Sequence, residues 1–162
     1  ATAGGWELSK TVGSRTLTER LVAIKNLTVK LGAADITKLT WVTTAADKSA
    51  GFTLSVKALF NEAVDVTGTP QLSVTNGNEG TGTGRGPHAL SYASGTGTNE
   101  LTFSLVIAAA NAATNADDVL SVGTNPLSLN GGTVKDKGTA TVSTITSAAG
   151  IGSAAGTVTV VA

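Results

Sequence analysis

The sequence predicts an all-β fold, a β-sandwich with an extended N-terminal arm before it and a β-prone tail after it. Three observations carry that expectation. Apolar and polar residues alternate at period two in several short runs, most clearly Phe52, Leu54, Val56, Ala58 and Phe60 against Thr53, Ser55 and Lys57. Turn residues separate the runs, among them Gly68-Thr69-Pro70, Asn76-Gly77 and Asn130-Gly131-Gly132. The composition suits short strands: Gly and Thr are abundant, charged residues make up 14% and aromatics 4%. The core must then rest on Val, Leu, Ile and Ala, with Trp6, Trp41, Phe52, Phe60, Tyr92 and Phe103 as its few large pieces.

Taken in order, residues 1–35 read as an arm or assembly segment, 36–146 as the sandwich and 147–162 as a tail strand with its link. The arm opens with the loose Ala1–Gly5 and passes through Trp6 and Leu8. Its Leu17, Leu21 and Ile24 fit one side of a short helix capped by Thr18, and they also fit a strand, so both remain open. Leu27, Val29 and Leu31 alternate with Thr28 and Lys30, which predicts a strand.

In the sandwich, Leu39, Trp41 and Thr43 share one strand face, and the run from Phe52 to Phe60 presents one face to the core and a mostly polar face outward. Leu72 and Val74 mark a further strand, ended by Asn76-Gly77 as a turn. Leu101, Phe103, Leu105 and Ile107 form the next inward row, and residues 119–122, 127–129 and 139–145 supply the later strands. Residues 76–87 are too polar and Gly-rich to pack, so they predict a long exposed loop with Asn76, Arg85 and the adjoining His88 as candidate contacts. Residues 108–118 have room for one helical turn. Residues 148–156 predict a flexible link, and Thr157–Val161 a strand.

Three segments carry a family resemblance: Phe60–Leu72 (F-N-E-A-V-D-V-T-G-T-P-Q-L), Tyr92–Phe103 (Y-A-S-G-T-G-T-N-E-L-T-F) and Leu127–Asp136 (L-S-L-N-G-G-T-V-K-D). Together they resemble the bacterial immunoglobulin-like repeats of large surface proteins, adhesins and tailed-phage structural proteins, over about residues 36–142. The resemblance implies an immunoglobulin-like sandwich that acts as a scaffold. Within it, Gly68-Thr69-Pro70 would form a corner and Asn130-Gly131-Gly132 a hairpin turn. The chain departs from the repeat at Lys137-Gly138, where the usual turn is shortened, and residues 1–35 have no counterpart in it. The family has no shared active site to carry over.

Charge and composition narrow the functions further. The formal net charge is zero and no basic stripe occurs, which argues against nucleic acid as a partner. With no cysteine there is no disulfide, thiolate metal site or Cys nucleophile. No apolar run approaches the roughly 20 residues needed for a membrane-spanning helix, and no signal-peptide pattern opens the chain. Its start at Ala1 fits processing, trimming or an excerpt, with Met removal and signal-peptide cleavage equally compatible. His88 is the single histidine; Ser91 and Ser94 follow it, but there is no G-x-S-x-G elbow to suggest a serine hydrolase. Asp117-Asp118, Glu62 with Asp65, and Asp47 offer oxygen ligands, yet none has calcium-loop spacing, and loop capping accounts for them better. The run Gly80–Gly86 lacks the Gly-Lys-Ser/Thr ending of a phosphate loop, and Asn26-Leu27-Thr28 is a lone glycosylation sequon. The expectation is a non-enzyme with no cofactor and no metal site.

The expected role is structural: a decoration or knob protein on the exterior of a tailed-phage capsid, bound to the major capsid protein lattice or to like subunits. Gly-Ala-Thr ends bury too little by themselves to offset chain entropy, so a partner is expected to hold them. The candidate assembly contacts are Trp6, Leu8, Leu27, Val29, Leu31, Val158 and Val160. Two alternatives share the architecture. One is a subunit of an extracellular filament or surface layer joined by donated strands. The other is a cell-surface adhesin module that binds through the 76–87 loop.

Overall fold

The computed structural model describes residues 5–23, 33–77, 86–110 and 113–162, and within the first of these the side chains of 8–19. Leu27, Val29, Leu31 and Arg85 lie outside the described residues, as does the side chain of Trp6. The chain divides into two compact units, Ala1–Leu31 and Gly32–Ala162. The protein is nearly all β.

The first unit holds a hairpin of β1 (Gly5–Val12) and β2 (Arg15–Ala23). The ambiguity over residues 17–24 thus resolves to strand as far as Ala23. Gly13-Ser14 makes the turn, with Gly13 at φ 63°, where a side chain would be strained. That two-residue loop aligns Val12 with Arg15 and Leu8 with Glu19, and cross-strand pairing prevails over the helical spacing of Leu17 and Leu21.

The second unit is one curled sheet around one core. Its strands are β3 (Ile36–Trp41), β4 (Ala46–Asp47), β5 (Phe52–Thr67), β6 (Gln71–Gly77), β7 (His88–Ser94), β8 (Thr98–Ile107), β9 (Val119–Ser121), β10 (Leu127–Ser128), β11 (Thr133–Asp136) and β12 (Thr157–Val161). A short helix, α1 (Ile151–Ala154), precedes β12. The sheet runs β11-β5-β8-β7-β6-β9-β12-β4, with β3 also on β5 and β10 also on β6. β3 and β4 join opposite ends of this order yet are separated by residues 42–45 alone, so the sheet must curl.

Thr43 makes the crossing between them. Its hydroxyl donates to the Thr53 carbonyl at 2.9 Å and accepts from the Ser55 N–H at 2.6 Å, taking over the ladder where β3 leaves β5. β4 then pairs parallel with β12.

The long β5 pairs with β8 so that Leu54 faces Leu105, Val56 faces Phe103 and Ala58 faces Leu101. Leu54, Val56, Ala58, Leu101 and Phe103 are all fully buried, as the alternation predicts. Tyr92 packs edge-on to Phe103 with ring centroids 6.1 Å apart, and its hydroxyl accepts the Thr96 N–H. Leu72 and Val74 of β6, Leu90 of β7, Leu120 of β9 and Val160 of β12 complete the core.

Several expectations need correction. Asn76-Gly77 does not turn the chain: both residues belong to β6 and pair with Leu120 and Val119, because β9 continues the edge that β10 begins. Asn130 and Gly131 do form a turn with φ of 46° and 77°, closed by Gly132 N–H to the Leu129 carbonyl. It is no hairpin, since β10 pairs with β6 and β11 with β5. Residues 139–145 form no strand and touch the ladder through isolated bridges, Lys135 with Val142 and Asp35 with Thr144. Among the described residues, helical geometry falls at 151–154, while residues 111 and 112 of the expected 108–118 turn lie outside them.

The C-terminal segment is part of the second unit and not a loose tail. The Trp41 indole N–H donates to the Gly156 carbonyl at 3.1 Å. Gly152 packs so closely that a β-carbon there would lie 2.6 Å from the Val122 carbonyl oxygen. Only a glycine lets α1 sit down on the end of β9.

Candidate functional site

In the hairpin, directly opposed residues share a face. One face is a ladder of hydroxyls: Ser9 meets Thr18 and Thr11 meets Thr16, each pair at 3.2 Å. The other face stacks three mixed pairs, Leu8 with Glu19, Lys10 with Leu17, and Val12 with Arg15. Its aliphatic side chains stand open, Leu8 at 56%, Val12 at 58% and Leu17 at 60% exposure. A two-stranded ribbon is marginal in water and gains independent stability by packing a face. Leu8, one of the expected assembly contacts, is thus accessible, and Val12 and Leu17 join it. Sequence reasoning misses those two unless Gly13-Ser14 is taken as the turn that aligns them.

The tail contacts are a correction. Val160 is fully buried and Val158 is half-buried against the core of the same unit. β12 pairs antiparallel with β9 over residues 157–159 and parallel with β4 at Val160 and Val161, so both valines sit in ladders of their own unit. Neither valine is free to be donated to a neighbour.

Two of the expected loop contacts, Asn76 and His88, are corrected as well, while residues 78–85 lie outside the described residues. His88 is 5% exposed and begins β7 opposite Val74, and Asn76 is half-buried in β6. The Asn76 side-chain amide donates to Asp118 Oδ2 at 2.9 Å and lies 3.4 Å from His88 Nε2. The same Asp118 oxygen accepts the Asn115 N–H at 2.7 Å, and the carboxylate is itself buried. Asn76, His88 and Asp118 therefore form an internal polar knot that ties β6 and β7 to the approach to β9. Burial pushes the His88 pKa below its ordinary value, and the Asp118 charge opposes that shift in part. The signal that points to the knot is Asn115-x-x-Asp118, a capping spacing in which the carboxylate turns back onto its own loop.

The remaining polar candidates separate in space. His88 and Ser91 are three residues apart on a strand and so face opposite ways, and Ser94 lies about 20 Å from His88 along the strand. Glu62 is half-buried, within the register irregularity of β5 between Leu59 and Val64, and Asp65 is exposed beyond it. Asp47 caps its own loop: Oδ1 accepts from the Ser49 hydroxyl at 2.7 Å and from the Ser49 and Ala50 N–H groups at 2.8 and 3.2 Å. Those bonds, the hydroxyl first, hold its pKa below the ordinary carboxylate value. Val42, Val106, Val142 and Val161 are also exposed on the second unit, and the hairpin sets three exposed aliphatic side chains together with three charges on one face.

No family model, no curated protein and no solved structure matches this chain.

Proposed function

We propose that this protein is a non-enzymatic structural component of a large assembly, and specifically a capsid decoration protein of a tailed phage. In this reading the Gly32–Ala162 unit projects outward and the Ala1–Leu31 unit anchors it to the major capsid protein lattice. The observation that carries the reading is the contrast between a unit with its own core and a small hairpin whose aliphatic face is open. An exposed apolar face rimmed by charge is the ordinary mark of a protein contact.

Strand order supports an immunoglobulin-like form for the second unit. With β3, β5, β6, β7, β8, β9 and β12 taken as A to G, neighbours run A-B-E-D and C-F-G, the order of a constant-type sandwich. The departure is that β6 and β7 also pair, which joins the two layers into one curled sheet.

The test is co-sedimentation of the full chain, and of residues 32–162 alone, with tailed-phage capsids stripped of their decoration protein. Among the described residues, every buried core residue lies between Ala34 and Val160, and the shorter chain keeps all of them. The full chain should pellet with the shells and the shorter one should stay in solution. Pelleting of neither would remove the decoration reading.

The filament reading keeps one observation in its favour. Among the described strands β1 and β2 pair only with each other, which leaves both outer edges of the hairpin open to strand addition. A filament subunit would polymerise without any shell, and electron microscopy of the purified chain separates the two.

A further inference from the structure

We infer that the Leu8–Leu17–Val12 face of the hairpin is a self-association face, occupied by the same face of a second copy of this chain across a two-fold axis. The charges on the face select that occupant. Viewed face-on, the β1 column reads Leu8, Lys10, Val12, and the β2 column beside it reads Glu19, Leu17, Arg15. Two copies can meet face to face about an axis along the strands or about one across them.

The first arrangement places Leu8 over Glu19, Lys10 over Leu17 and Val12 over Arg15 of the other copy. Every contact then sets an aliphatic group against a charge, which desolvates the charge without pairing it. The second arrangement reverses the ladder. Leu8 now meets Val12, Leu17 meets Leu17 on one side of the axis, and Glu19 meets Arg15 twice. Apolar groups meet apolar groups and opposite charges meet at both ends, as an isologous interface requires. One mismatch remains, Lys10 against Lys10 beside the axis, where the long stems cover apolar surface while the ammonium groups turn out to water. A four-strand, two-layer unit also supplies what the lone hairpin lacks, a second layer.

This inference goes beyond the assembly reading and takes up the same face on which that reading rests, with a like copy in place of the lattice as its occupant. The experiment is sedimentation equilibrium of the full chain over a range of concentrations, with amide exchange of β1 and β2 followed in parallel. The wild-type chain should show a concentration-dependent dimer, and protection of the hairpin amides should rise with it. Leu17→Asp should weaken the dimer roughly 30-fold or more, the scale of a central interface residue. Glu19→Arg and Arg15→Glu should each weaken it, and the double variant carrying both should restore it, because the swapped charges meet again across the axis. Lys10→Leu should tighten it by removing the one like-charge contact, and Thr16→Lys on the hydroxyl face should leave it unchanged. A chain that stays monomeric at every concentration would overturn the inference, as would a dimer that the charge swap does not restore. A monomer that nevertheless pellets with stripped capsids would give this face to the lattice, whereas a dimer that ignores capsids would sink the decoration reading and leave this inference standing.

Discussion

The hairpin and the curled sheet are built from the same residues and meet opposite fates. In β5 and β8, Leu54, Val56, Ala58, Leu101 and Phe103 disappear from solvent; in β1 and β2, Leu8, Val12 and Leu17 remain more than half exposed. The difference lies in what shares the face. The inward face of the β5–β8 pair is aliphatic and aromatic on both strands for four successive pairs, Phe52–Ile107 to Ala58–Leu101. Each apolar residue on the hairpin face sits beside Glu19, Lys10 or Arg15. Alternation makes a strand, but a row uninterrupted by charge is needed for that strand to find a second layer in its own chain. The mixed face suits a partner that supplies matching charge.

The comparison breaks most readily in the core. Phe103→Ala should destabilise the second unit by about 3–5 kcal/mol, a cavity effect read by urea unfolding, whereas Leu17→Ala in monomeric protein should move the same transition by no more than about 0.5 kcal/mol. A similar cost for both would mean that the hairpin is built into the core. Next, Gly152→Ala should cost about 1–3 kcal/mol, because its β-carbon would press on the carbonyls of Val122 and Gly123. Faster amide exchange in α1 and β12 with β5 unchanged would localise that loss.

A third test uses pH. The folded-state pKa of His88 is depressed below its ordinary value of 6.5, mainly by burial. The unfolded chain therefore takes up this proton first as pH falls. The stability tied to neutral His88 is fully present above about 6.5 and is lost as pH drops from there through the depressed folded-state value. His88→Gln should flatten the stability profile over that window. Asp118→Asn should steepen it, since the Asp118 charge is what opposes the depression. A profile unchanged by both would place His88 in solvent. The smallest effect is expected at Lys57–Glu100, a 2.9 Å ion pair across β5 and β8 whose side chains are 36% and 48% exposed. Lys57→Ala should shift stability by no more than about 0.5 kcal/mol, and less at high salt.

Much of the second unit is legible in the sequence alone. The rows from Phe52 to Phe60 and from Leu101 to Ile107 can be assigned with their inward faces, since periodicity is local and survives into the fold. Other features escape such a reading for nonlocal reasons. Asn76-Gly77 has the local chemistry of a turn, but β9 and the Asp118 carboxylate hold it extended in the sheet. His88 looks like a loop residue because its neighbours Gly86 and Pro87 are loop residues, while its burial depends on Val74 and Asn76 across the ladder. Gly-Ala-rich 148–156 looks flexible, and only the closeness of Val122, Gly123 and Trp41 turns that small-residue stretch into a packed element. On the candidate face, Leu8 stands out in the sequence, whereas Val12 and Leu17 need the hairpin register.

By itself the sequence determined that this protein is built of strands, which rows of aliphatic residues bury, and that its balanced charge carries no basic stripe suited to nucleic acid. These are properties of composition and of a two-residue period. The tertiary structure decided which strands are neighbours, that the C-terminal strand is used up inside its own sheet, that Asn76, His88 and Asp118 turn inward together, and that Leu8, Val12 and Leu17 come to one open face. Each of these depends on contacts between residues far apart in the chain, where pairing register and the available second layer outweigh local preference.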